Sequence, residues 1–162
     1  MKIHIRKGFY SLLLLAILSI IIDSCATVPL TGSSQLNMLP ETSMVEMALT
    51  SYGEFLQGNE LSKDMSQSEM IKRVGERISH SVEEYLASNG FKDRLSEFNW
   101  EYNLIENEEP NAWCMPGGKV VFYTGILPYT QTETGVAVVM GHEIAHAVAR
   151  HGNERMSQGL LF

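Results

Sequence analysis

The sequence predicts an α+β domain with a helical N-terminal part, a small β-sheet containing a hairpin, and a last helix that carries a His-Glu-x-x-His motif. Three observations carry that expectation. Apolar residues recur at helical spacing between Met44 and Tyr85, the period drops to two beyond Phe98, and helical spacing returns between Val136 and Val148. Helices and strands are therefore mixed without a regular βαβ alternation, which points to α+β.

The first segment is an address. Lys2, Arg6 and Lys7 precede an almost wholly apolar run, Gly8 to Ile22, that includes Leu12 to Leu15 and Ile20 to Ile22. That is signal-peptide architecture, and the run is shorter than the roughly 20 residues a spanning helix needs. Ile22-Asp23-Ser24-Cys25 resembles a bacterial lipobox, with an aliphatic residue three before the cysteine and a small one just before it. Cleavage would leave Cys25 as the acylated first residue, and several buried acyl chains anchor a protein firmly. Residues 1–24 are thus expected to be a lipoprotein signal peptide. Residues 25–40, which include Pro29, Gly32, Ser33, Ser34 and Pro40, are expected to be a lipidated tether, and 41–162 the folded domain.

A first helix is expected from Met44, Met47, Ala48, Tyr52, Phe55 and Leu56, stopped by Gly58-Asn59. Ser66 and Glu69 have capping-box spacing and open a second helix, whose apolar stripe runs Ile71, Val74, Ile78, Val82, Tyr85 before Asn89-Gly90 ends it. His80 lies off that stripe and is read as solvated. Trp100, Tyr102 and Leu104 alternate with Glu101 and Asn103, as in a strand with one buried face. After the acidic loop Glu106 to Pro110, a hairpin is expected from Ala112-Trp113-Cys114-Met115 and Val120-Val121-Phe122-Tyr123 about Pro116-Gly117-Gly118-Lys119. The last helix is expected over roughly Thr132 to Met156, with Val136, Val139, Met140, Ile144 and Val148 on its apolar side.

Composition narrows the function. Formal net charge is -7 over 162 residues, and setting aside Lys2, Arg6, Lys7 and Asp23 takes it to -9. Such a surface repels nucleic acid, and no Gly-rich phosphate loop precedes a helix, so neither nucleic acid nor nucleotide is an expected partner. Only Cys25 and Cys114 are present, so no disulfide framework follows, and Cys114 between Trp113 and Met115 is expected to be a buried free thiol.

The chemistry is concentrated in His142-Glu143-Ile144-Ala145-His146. Imidazoles four residues apart on a helix project from one face one turn apart, so both can reach one metal ion. Zinc takes neutral imidazole at about 2.0–2.1 Å, and catalytic sites add a third protein ligand and a water. Glu143 directly follows the first ligand and is suited to act as general base on that water. His151 is a further candidate ligand but reads as a helix-end residue near Arg150 and Arg155, and Glu133 lies more than two turns before His142.

Two blocks resemble metallopeptidase family forty-eight, the gluzincins that include HtpX-type proteases and the CAAX prenyl proteases. They are Asn111 to Gly118 followed by Thr124-Gly125-Ile126-Leu127, and Gly141 to Gly152. Cys25-Ala26-Thr27-Val28-Pro29-Leu30-Thr31-Gly32 is also similar to the start of the family's envelope lipoproteins. The resemblance implies a zincin-type active-site helix holding one Zn2+ per chain, with His142 and His146 as ligands and Glu143 as base. It implies that Asn111, Ala112, Trp113 and Cys114 border the substrate cleft, where an extended peptide adds as a strand. Unfolded or misassembled envelope proteins are the implied substrates, and the implied address is the periplasmic side of a bacterial envelope membrane, the outer one, reached through the lipid. The family's third ligand is a Glu on a later helix, so the chain is expected to be truncated before it. A catalytically inactive, peptide- or protein-binding lipoprotein is the alternative expectation.

Overall fold

The structure, a computed structural model, describes residues 25–28, 32 and 34–160; the expected signal peptide, 1–24, lies outside the described residues. A hairpin of β1 (Cys25–Thr27) and β2 (Ser34–Leu36) precedes two long helices, α1 (Glu41–Gly58) and α2 (Met65–Ser88). A 3-10 segment, Lys92–Glu97, leads into β3 (Glu101–Ile105), β4 (Ala112–Met115) and β5 (Lys119–Tyr123). The chain then passes through Thr124–Ile126 and the single turn α3 (Leu127–Thr130) into α4 (Glu133–Val148) and α5 (His151–Gly159). The α+β expectation holds.

Strand order is β3-β5-β4, with β5 parallel to β3 and antiparallel to β4. The expected hairpin is therefore β4-β5, in the register Ala112 opposite Phe122 and Cys114 opposite Val120. Its turn needs positive φ twice, and Gly117 (86°) and Gly118 (81°) supply it without a Cβ clash. Central β5 is buried along its whole length. Val120 and Phe122 join Ile71, Val74, Leu86, Val136, Met140, Ile144 and Val148 of α2 and α4. Val121 and Tyr123 face the other way and join Tyr52, with Phe55 and Trp113 packed against them. Helices thus cover both sheet faces, which is why Val120 to Tyr123 of β5 form a continuous apolar run.

Two expected element boundaries are corrected. Helix α2 is capped by Asp64, whose Oδ1 accepts from Gln67 N at 3.0 Å, not by Ser66, which falls inside the first turn. A carboxylate satisfies an orphan N–H and also complements the positive helix end, so it outcompetes the hydroxyl. The expected single helix 132–156 is two, because Arg150 takes a left-handed conformation (φ 57°) and turns the chain between α4 and α5. That conformation costs about 1–2 kcal/mol for a residue with a Cβ. Arg150 offsets it with ion pairs to Glu41, at 3.2 Å, and to Glu97. The described residues between 25 and 40 carry more structure than a tether composition implies: Val28 and Gln35 are buried, and β2 packs on α5.

The α2 stripe divides rather than facing the core throughout. Ile71, Val74 and Leu86 are buried, whereas Ile78, Val82 and Tyr85 line a groove against Ala137, Gly141 and Ala145 of α4. Helix α2 approaches β3 at Gly75, where an added methyl would overlap the Tyr102 ring. Gly75→Ala is expected to destabilise the fold by about 1–3 kcal/mol, the usual range for overpacking. Chemical denaturation checks this, and an unchanged midpoint would show that α2 is free to shift off β3.

Candidate metal centre

Helix α4 is capped by Thr132, whose hydroxyl accepts from Gly135 N at 3.1 Å, and its buried stripe of Val136, Met140, Ile144 and Val148 fixes its rotation against β5 and α2. With that stripe inward, His142 and His146 lie on the remaining, less buried side of the helix. Positions 142 and 146 come together as their spacing predicts. His142 is exposed, His146 is half-buried, and their Nε2 atoms lie 3.0 Å apart with ring planes at 83°. Donors at about 2.0–2.1 Å around a tetrahedral zinc sit roughly 3.3 Å from one another, so the pair fits two corners of such a site.

His146 is held below the ordinary imidazole range, first by burial and then by neighbouring His142 and His151. Its ring is therefore neutral at neutral pH, the form that donates a lone pair to a metal. Glu143 is half-buried, and its charge reaches two places at once, His146 and Cys114 of β4. Burial and then Glu143 push the Cys114 thiol up to about 12. The cysteine is free and bonds only weakly, Sγ to Met115 O at 3.6 Å, so it is an inert part of the cleft wall. The residue as a whole is half-buried, with the sulfur covered, so the expected buried thiol is found on a partly open strand.

The other β4 candidates divide by side. Ala112 and Cys114 pack toward α4, whereas Trp113 packs toward α1 against Phe55 and Tyr52. Asn111 precedes the strand, and its carbonyl accepts from Tyr123 N at 3.0 Å. Among the described residues β4 pairs on one edge only, with β5. Helix α4 packs directly against β4.

Neither reserve ligand joins the pair. Glu133 stands about 13 Å along the axis from His142 at the 1.5 Å rise of a helix, engaged by Arg73 at 2.8 Å and Arg77 at 3.6 Å. His151 lies on the far side of His146, with the two Nδ1 atoms 2.5 Å apart. Among the described residues no group of three His, Cys, Asp or Glu side chains is placed to hold a metal. His80 is exposed beside Glu84, as its position off the α2 stripe predicts.

Sequence spacing offers His151 only as a reserve ligand and does not point to Gln35, Arg150 or Asn153, the other side chains around the bend behind His146. The bend depends on an arginine at positive φ, and the usual signal for that conformation is Gly or Asn. Gln35 and Asn153 act across more than a hundred residues of sequence, beyond any local pattern.

Residues 72–162, more than half of the chain, match the profile described as peptidase family M48. The mitochondrial metalloendopeptidase OMA1 of Schizosaccharomyces pombe is 40% identical over 80 residues, which are 49% of this chain and 23% of that protein. The beta-barrel assembly-enhancing protease of Escherichia coli K12 is 32% identical over 131 residues, 80% of this chain and 24% of that protein. The human metalloendopeptidase OMA1 is 27% identical over 129 residues, 78% of this chain and 24% of that protein. The chain therefore spans about a quarter of the length of these relatives.

Proposed function

Because the chain belongs to peptidase family M48, a family of metallopeptidases, we propose that it carries the metal-binding and proton-transfer residues of a zinc endopeptidase of the bacterial cell envelope. The observation that carries this reading is the convergence of His142 and His146 Nε2 at 3.0 Å, with Glu143 between them on α4 and α4 packed against β4, which pairs on one edge only among the described residues. His142 and His146 would hold one zinc ion per chain. A zinc ion there supplies a polarised scissile carbonyl and a water that is nucleophilic near neutral pH. Glu143 accepts the proton of the attacking water on its carboxylate and delivers it to the leaving amine. No acyl-enzyme is needed, consistent with a Cys114 thiol too basic to serve as nucleophile.

Substrate would lie extended along residues Asn111 to Cys114, pairing its backbone with the second edge of β4. Main-chain pairing requires a strand that is not already in a sheet. Unfolded or misassembled envelope proteins meet that requirement, and folded ones do not. The membrane would be reached through acyl chains on Cys25, on the periplasmic side and in the outer membrane. Among the described residues no helix is long and apolar enough to cross a membrane. A second reading, a peptide-binding lipoprotein without cleavage, draws on the presence of only two convergent donors among the described residues.

The metal reading is tested by zinc titration followed through the histidine ring signals. His142 and His146 should move together, and His142→Ala should remove the response at His146. Zinc bound equally well by that variant would overturn the assignment. The address is tested separately: Cys25→Ser should abolish incorporation of labelled fatty acid, and labelling that persists would remove the lipoprotein reading.

A further inference from the structure

The corner between α4 and α5 is held from outside both helices. Ala149, the last residue before the bend, has a carbonyl without a helical partner, and Gln35 Nε2 of β2 donates to it at 2.7 Å. Asn153 of α5 donates Nδ2 to Leu39 O at 2.8 Å, and Met38 N donates to Ser157 Oγ at 2.8 Å. Arg150 bridges Glu41 and Glu97. Residues 35 to 41 thus fasten the bend on one side and the 3-10 segment fastens it on the other. The bend starts α5 at His151 and returns that ring beneath His146, Nδ1 to Nδ1 at 2.5 Å, with ring centroids 4.8 Å apart.

Two nitrogens at that separation share one proton. His146 Nε2 faces His142 Nε2, so a metal on that side requires Nε2 to be bare and the ring proton to sit on Nδ1. We propose that His151 is a positioning residue which accepts the Nδ1 proton of His146, fixing the tautomer and ring angle that present Nε2 to the metal, and that Gln35 holds the bend that delivers His151. The inference rests on the metal reading of His142 and His146. It adds a role for an imidazole that lies one atom shell behind them and for the segment next to the anchor. The partner of a ligating histidine's second nitrogen fixes ring tautomer and orientation, and its loss commonly weakens metal binding by about 10–100-fold.

The experiment is long-range 1H–15N NMR of histidine-labelled, metal-free 162-residue chain, followed by zinc titration against a competing chelator. In the wild type His146 should report an Nδ1-protonated ring. His151→Phe, which keeps a ring but no acceptor, should release that preference and weaken zinc by about 10–100-fold. His151→Gln, whose side-chain oxygen accepts a proton, should restore most of both. Gln35→Ala should shift both readouts in the same direction as His151→Phe. An Nε2-protonated His146 in the wild type would overturn the proposal, even if His151→Phe fails to fold. So would unchanged tautomer and zinc affinity in a folded His151→Phe. A cobalt spectrum that loses a nitrogen ligand in His151→Phe would overturn it too, by making His151 a ligand itself. A wild type that binds no zinc would refute the metal reading, and the tautomer would still decide the role of His151.

Discussion

Glu143→Gln is expected to lower proteolysis by about 10²–10⁴-fold, the usual contribution of a positioned general base, in protein whose metal site is completed by a third ligand. The substitution keeps the size of the side chain and its place one residue after His142. It leaves both imidazoles untouched, so zinc content should stay at the wild-type level. What it removes is a group able to take a proton from water. Glu143 lies half-buried on α4 between the two imidazoles, near enough to His146 and to Cys114 of β4 for its charge to act on both. The measurement pairs hydrolysis of an unfolded protein substrate with metal content on the same sample. A variant that turns over at near-normal rate with zinc bound would take the proton-transfer role away from Glu143. A variant that loses zinc would show that the carboxylate holds the site together.

The parts of this fold set by short-range pattern were legible in the sequence. Val136, Met140, Ile144 and Val148 mark the buried side of α4, and that same stripe dictates which way His142 and His146 point. Gly117 and Gly118 announce the hairpin turn because positive φ is cheap only there. The parallel pairing of β3 with β5 was not legible, since it joins Glu101 to Lys119 across β4 and leaves no mark on either strand's alternation. The bend at Arg150 was hidden for a different reason. Its left-handed backbone is stabilised by Glu41 and Glu97, ion-pair partners more than fifty residues away, while the local sequence continues a helical pattern. The convergence of the two imidazoles was therefore readable, and the contacts behind them, where the bend brings His151 to His146, were not.

The 162-residue chain by itself is expected to hold zinc weakly and to cleave no unfolded protein at a measurable rate. Two imidazoles bring lone pairs but no negative charge, whereas a catalytic site has three protein donors, and a carboxylate among them partly neutralises the dication. Among the described residues the third donor is lacking: Glu133 is held by Arg73 and Arg77 at the far end of α4, and His151 is spent on Nδ1 of His146. Metal affinity is also coupled to how fully the ligands are preorganised, and among the described residues the exposed His142 ring is met by His146 alone. Occupancy should consequently be low and stripped by mild chelation. Chain from Ala26 to Phe162, purified without added metal, is assayed by mass spectrometry for zinc and by gel for cleavage of an unfolded protein. Stoichiometric zinc together with chelator-sensitive cleavage would mean that a residue within the chain completes the site, and His151→Phe and Glu133→Gln would then identify which side chain has moved to do so.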